Sequence, residues 1–134
     1  MKPGGKNDQI KRFSINERLE SFRNAFSGLA ALLKFEHNAR IHLFILIMVI
    51  VAGIILRIQA IDWIAIVFAS GLVFISECFN TSVEYLSDIV SPGDNEEIKR
   101  VKDLAATGVL ISAVISVIIG LIVFLPEIYR LIVN

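Results

Sequence analysis

Residues 104–125 read LAATGVLISAVISVIIGLIVFL, a run with no formal charge. As a helix rising about 1.5 Å per residue it meets the length needed to cross a bilayer core of about 30 Å. Two further apolar runs, IHLFILIMVIVAGIIL at 41–56 and WIAIVFASGLVFIS at 63–76, are shorter. They reach spanning length only with their amphipathic continuations, which carry the second as far as about residue 89. The composition agrees, with 55% hydrophobic residues in 134 and a mean hydropathy of +0.71, above the usual range for a water-soluble domain of this size. The expected architecture is an all-α membrane protein with spans over about 38–56, 62–89 and 98–125.

The formal net charge of zero hides a segregation of the basic residues. Eight of the thirteen Lys and Arg side chains precede position 41: Lys2, Lys6, Lys11, Arg12, Arg18, Arg23, Lys34 and Arg40. Lys99, Arg100 and Lys102 form a second group, and only Arg57 lies in the turn between the first two spans. Positive charge on the cytosolic side therefore places the N-terminus and the 89–103 loop in the cytosol, with the 57–62 turn and the C-terminal tail outside. No aromatic residues interleave with the basic ones as base stacking would need, so nucleic acid is not an expected partner. A lone cysteine, Cys78, excludes an intrachain disulfide and a zinc cluster. His37 and His42 lack a third imidazole or thiol nearby, so carboxylates are the ligands on offer, and those suit a hard cation such as Mg²⁺.

Residues 1–13 read as a flexible start. KPGGK at 2–6 has no G-x-x-x-x-G-K-[ST] continuation, which argues against a phosphate loop. Forty residues of mixed polarity precede the first apolar run, which argues against a signal peptide. Residues 14–34 carry Ile15, Leu19, Phe22, Phe26, Leu29 and Leu33 at alternating steps of four and three. With Glu17, Arg18, Glu20, Arg23 and Asn24 on the other faces, this reads as an amphipathic helix lying in the headgroup plane or against the bundle. Residues 14–134 are read as one domain. SPGDNEE at 91–97 is a cytosolic turn in which Asp94 or Asn95 caps the next helix.

At the end of the second span the sequence turns to SECFNTSVEYLSDI. At about 100° per residue, Glu77, Asn80, Thr81, Glu84 and Asp88 fall on one stripe, while Phe79, Val83 and Leu86 fall off it. Glu77 lies about 22 Å along the axis from Asp62, inside the membrane near its cytosolic boundary. An ionisable side chain at that depth points to function, because leaving it unpaired is costly; the plainer alternative is a polar cap that lets the helix leave the bilayer. Glu36, Arg40 and His42 in FEHNARIH, and Lys99, Lys102 and Asp103 in KRVKDLAATG, face the same boundary. Individually these read as an i,i+4 ion pair and a snorkelling basic anchor. Together they converge on a site for a divalent cation and phosphates. Two classes follow. One is a lipid kinase, in which a water-borne phosphate donor meets a lipid hydroxyl at headgroup depth. The other is a small oligomeric ion or proton transporter, whose charges would sit nearer the midplane on broken helices. The uncharged midplane of all three spans favours the first.

ECFNTSVEYLSD followed by KRVKDLAATGVL resembles the bacterial integral-membrane diacylglycerol kinase and undecaprenol kinase family. The resemblance extends from about residue 13 to 128, and the Glu-x-x-Asn-[Ser/Thr]-x-x-Glu-x-x-x-Asp pattern is followed by Lys-Asp at the family's spacing. EHNARIH and ISVIIGLIVFLPEI look closer to the undecaprenol kinase branch. The resemblance implies a homotrimer with active sites between subunits, in the bacterial cytoplasmic membrane, that phosphorylates a membrane lipid with Mg-ATP. Undecaprenol is favoured as acceptor and diacylglycerol is the alternative. It further implies Glu77 as general base, Glu36 and Glu84 as Mg²⁺ ligands, and Asn80, Thr81 and Arg40 as active-site or substrate positions. Arg18, Asp88, Asn95, Lys102 and Asp103 match nucleotide-side positions. Three departures concern that side: Asn95 stands where the family often has histidine, Arg18 matches only if shifted by one residue, and Ala106 replaces a serine of some members.

Overall fold

The computed structural model describes residues 14–133, so the expected flexible start at 1–13 lies outside the described residues. Four helices follow in order: α1 Ile15–Phe35, α2 His37–Leu56, α3 Ala60–Val90 and α4 Glu96–Val133. The described residues contain no strand, and α2, α3 and α4 are each long and apolar enough to cross a membrane. The protein is therefore an all-α membrane protein with three candidate spans, as its hydropathy requires.

Each boundary has a local cause. Ser14 is extended and its hydroxyl accepts from the Glu17 amide at 3.4 Å, capping α1. Glu36 alone separates α1 from α2; its backbone is extended (φ −96°, ψ 121°) and its N–H still bonds Leu32 O at 2.9 Å. α2 stops at Arg57, which adopts the left-handed conformation (φ 51°). The amide of Arg57 then reaches Ile54 O and that of Ile58 reaches Gly53 O, satisfying carbonyls that the helix end leaves open. Asp62 Oδ2 accepts from the Gln59 amide at 3.1 Å and opens α3. Asn95 Oδ1 accepts from Glu97 and Ile98 amides at 2.9 and 3.3 Å, so of the two expected caps it is Asn95 that serves. α4 continues beyond the apolar run, through Pro126, to Val133.

α3 and α4 make the principal pairing. Small and hydroxylic residues allow it: Ser76 Oγ lies 2.6 Å from Ser112 Oγ, and Ser116 Oγ donates to Ala69 O at 3.0 Å. Such contacts between spans hold helices together where lipid offers no hydrophobic contrast. Near the α2–α3 turn Ile58, Ile66 and Val123 form a small core with Trp63, Leu56 and Phe124 against it. A Cβ added at Gly53 would stand 2.9 Å from Trp63 Cη2, so glycine lets the indole lie on α2.

On α1, the seam of Ile15, Leu19, Phe22, Phe26 and Leu29 is exposed within the chain. Leu32 is buried instead, near the helix C-terminus. α1 thus touches the bundle by its end and leaves its apolar face outward, the disposition of a helix that meets lipid or another protein.

Candidate active site at one end of the bundle

The buried face of α3 runs Ile66, Ala69, Val73, Glu77, Asn80, Thr81 and Ser87. The polar stripe is therefore the continuation of the apolar packing seam. The same side of the helix that meets hydrocarbon neighbours in its first half meets polar ones in its second. Glu77 is 2% exposed, Asn80 8% and Thr81 7%. Glu84 is half-buried and Asp88 is exposed.

Around Glu77 the other helices contribute in turn. α2 brings His42, whose Nε2 lies 3.2 Å from Glu77 Oε1. The approach is close enough for an ion pair but lacks the alignment of a hydrogen bond, and Glu77 Oε1 has no hydrogen-bond partner among the described residues. The α1–α2 joint brings Glu36, whose Oε1 accepts from Tyr85 Oη at 3.4 Å. On α3 itself Asn80 Nδ2 donates to Glu84 Oε1 at 2.8 Å. The charged groups whose fields act on Glu77 are His42, Glu36 and Glu84. Glu77 is thus the carboxylate against the imidazole, while Glu36 and Glu84 act on Glu77 only through their charge. The buried Asn80 Oδ1 and Thr81 Oγ1 are also without partners among the described residues.

A second polar group lies one to three turns further toward the 91–95 loop. Lys102 Nζ donates to Asp88 Oδ1, joining the Lys-Asp motif of α4 to the end of the α3 stripe. Asp88, Asn95, Lys99 and Lys102 line a polar pocket of about 780 Å³ with Ser91, Pro92, Gly93 and Asp94. The expected nucleotide-side residues Asp88, Asn95 and Lys102 are thereby brought together, although Asn95 also spends its side-chain oxygen on the α4 cap. Asp103 is exposed beside Lys102. Arg18 lies in the first turns of α1, about 25 Å along that helix from Glu36 by helical rise.

The expected i,i+4 pair between Glu36 and Arg40 does not form: Glu36 takes Tyr85, and Arg40 is exposed. The reason is the break at Glu36, which precedes α2 and so is out of register with its first turn. Tyr85 was not among the expected site residues, and His42 was expected at this boundary but not against Glu77. His42 is 35 positions from Glu77 and Tyr85 is 49 from Glu36, so helical periodicity carries no signal for either contact. The Asn80–Glu84 bond, one turn apart, is readable from spacing alone.

As for donors to a cation, no group of three His, Cys, Asp or Glu side chains forms a metal site among the described residues. Glu36 and Glu84 still suit a hard cation by chemistry. Each is a carboxylate with one oxygen held by a neighbouring donor, which orients it, and substrate phosphate oxygens and water usually complete such a shell.

Residues 23–124 match the prokaryotic diacylglycerol kinase family. An undecaprenol kinase of Bacillus subtilis is 33% identical over 116 residues, covering 87% of this chain and 94% of that protein. A diacylglycerol kinase of Synechocystis sp. is 37% identical over 116 residues, covering 86% of this chain and 66% of the relative. With the match running through α1, the three candidate spans and the clustered carboxylates, the chain belongs to the prokaryotic diacylglycerol kinase family.

Proposed function

We propose that Glu77 is the base that accepts the proton of a lipid's primary hydroxyl, and that the lipid is undecaprenol. Family membership makes the chain an ATP-dependent membrane lipid kinase; the acceptor, the metal and the residue roles are what the cluster supports. The observation that carries the reading is Glu77 itself, a carboxylate 2% exposed within a candidate span, beside His42. Burying an acid at that depth is costly, and a residue kept there at such a cost points to function.

In the transfer, the hydroxyl O–H bond breaks and its proton passes to the Glu77 carboxylate. The freed lipid oxygen forms a bond to the γ-phosphorus, the bond from that phosphorus to the β–γ bridging oxygen breaks, and ADP leaves with the electron pair. Glu77 returns its proton to water once the lipid phosphate departs. Glu36 and Glu84 would hold Mg²⁺, which when bound supplies positive charge to the phosphate oxygens. Asn80 and Tyr85 keep those two carboxylates turned inward. Lys102, freed from or shared with Asp88, neutralises charge on the phosphates, and the pocket between Asp88, Asn95 and Lys102 seats the nucleotide. Arg18 and Asp103 complete the nucleotide side, and Thr81 and Arg40 meet the acceptor. The family resemblance supports a homotrimer with sites between subunits. So does the outward apolar seam of α1. The charge distribution supports a bacterial inner-membrane location with the N-terminus in the cytosol.

Undecaprenol is preferred to diacylglycerol because the undecaprenol kinase is matched nearly end to end, whereas the slightly more identical diacylglycerol kinase is matched over 66% of its length. The test is ³²P transfer from Mg-ATP by purified protein offered both lipids. Strong labelling of undecaprenol alone is the expected result. Labelling of diacylglycerol alone transfers the assignment to that lipid, and ion flux without labelling of either favours a transporter.

A further inference from the structure

We infer that His42 is the positioning residue for Glu77: its imidazole holds the carboxylate of the base facing the acceptor hydroxyl. The inference rests on the reading of Glu77 as base and adds a residue that the stripe on α3 does not contain. His42 lies on the inward seam of α2, between buried Ala39 and buried Gly53. Its side chain is 20% exposed against 2% for Glu77, with Nε2 3.2 Å from Oε1. Among the described residues it is the one group within ion-pairing distance of that carboxylate.

The neighbours cannot replace it. Glu36 and Glu84, the other charged groups acting on Glu77, are acids that repel its ionised form. The Asn80 amide is given to Glu84 and the Tyr85 hydroxyl to Glu36. Ser112 donates to Gly108 O, so the Ser76 hydroxyl is the donor in its contact with Ser112. Thr81 Oγ1, one turn from Glu77, makes no hydrogen bond to it.

Toward the bilayer interior α2, α3 and α4 enclose a cavity of about 250 Å³ walled by Ile45, Leu46, Val49, Ile66, Val73 and Phe74. The polar side chains among the described cavity residues are Ser70 and Ser116 besides His42; Ser116 is given to Ala69 O and Ser112 O, and Ser70 lies two turns before Glu77, about 10 Å along α3. Val73 is one turn before Glu77 on the same face. Among the described residues that line this cavity, His42 is the one ionisable side chain. The imidazole thus stands at the polar end of an apolar space. Without it, Glu77 would face two like charges on one side and hydrocarbon on the other, and its carboxylate would lose a fixed orientation.

The test compares His42→Gln, His42→Asn and His42→Leu in the purified full-length enzyme. Activity is read with Mg-ATP and whichever of undecaprenol and diacylglycerol the unaltered enzyme phosphorylates faster. Glutamine carries an amide nitrogen to about the reach of Nε2; asparagine is one bond shorter; leucine keeps bulk without a donor. The expected result is a kcat within about threefold of the unaltered enzyme for His42→Gln. For His42→Asn and His42→Leu, kcat falls by about 30-fold while KM for Mg-ATP stays within about twofold. Equal activity of the Gln and Asn variants, high or low, overturns the inference, as does a loss carried by KM for ATP. Should His42→Leu fail to fold by size exclusion, the Gln–Asn comparison decides alone. Glu77→Gln is assayed alongside. If it is inactive while every His42 variant keeps full kcat, the inference on His42 fails by itself; if it is fully active, the assignment of the base fails first.

Discussion

Glu77 is buried in a helix that hydropathy alone would carry across a membrane, and its surroundings are built to tolerate it only in part. One imidazole approaches it, two carboxylates oppose it, and an oxygen remains without a hydrogen bond among the described residues. That incomplete satisfaction supports the proposed role of Glu77 as the base, since a purely structural acid would be paired or replaced. Glu77→Gln preserves shape and removes basicity, so phosphoryl transfer should fall by about 10²–10⁴-fold with the protein still folded. Transfer assays with size exclusion on the same sample check both halves of that statement. If Glu36 and Glu84 hold Mg²⁺ as proposed, Glu36→Gln and Glu84→Gln each remove one anionic oxygen ligand and should raise the Mg²⁺ concentration for half-maximal rate about tenfold or more. A magnesium titration of each variant at saturating ATP reads this directly, and an unchanged midpoint would remove that residue from the metal shell.

Helix ends and helix contacts place these residues. The one-residue joint at Glu36 turns α1 into α2 and sets the carboxylate at the corner, away from Arg40 and beside Tyr85. The α3–α4 pairing, tied by Ser76, Ser112 and Ser116, brings Lys102 to Asp88. At the opposite end, the α2–α3 hairpin depends on Gly53. Alanine there gains helix propensity of about 1 kcal/mol. Its Cβ, however, meets Trp63 Cη2 at 2.9 Å and Ile58 Cδ1 at 3.0 Å. The indole is rigid and the turn beneath it is short, so overpacking of about 1–3 kcal/mol outweighs the gain. Gly53→Ala should lower the unfolding midpoint in detergent. Gly120→Ala, at a cavity wall where an added Cβ has nothing within 4 Å, should leave it unchanged or raise it.

Across the whole molecule the charged groups crowd the end of the bundle that carries the α3–α4 loop, while the middle holds small, hydroxylic and apolar contacts. A water-soluble donor and a lipid hydroxyl meet at that boundary, which is where a lipid kinase must act. If the active site is completed between subunits, chains carrying Glu77→Gln and chains carrying Lys102→Ala should restore one another when unfolded, mixed and reassembled. Each supplies what the other lacks, and with three-subunit assembly a substantial share of mixed sites is intact. Activity that stays at the level of the separate variants would show that Glu77 and Lys102 act within one chain, as the Lys102–Asp88 contact allows.

Hydropathy and helical spacing by themselves determine the three spans, the surface helix and the single-sided stripe of Glu77, Asn80, Thr81, Glu84 and Asp88. These are consequences of bilayer thickness and of a repeat near 3.6 residues, both local to the chain. A cap at Asp94 or Asn95 was legible from turn and capping chemistry, and the structure selects Asn95. Tertiary structure alone decided that the stripe faces inward along the α3 packing seam from Glu77 to Thr81 and leaves Asp88 exposed, that Glu36 meets Tyr85 in place of Arg40, and that His42 stands against Glu77. Those outcomes depend on how far one helix slides and turns against the next. That is set by the summed packing of small residues along the whole interface, and no short stretch of the chain encodes it.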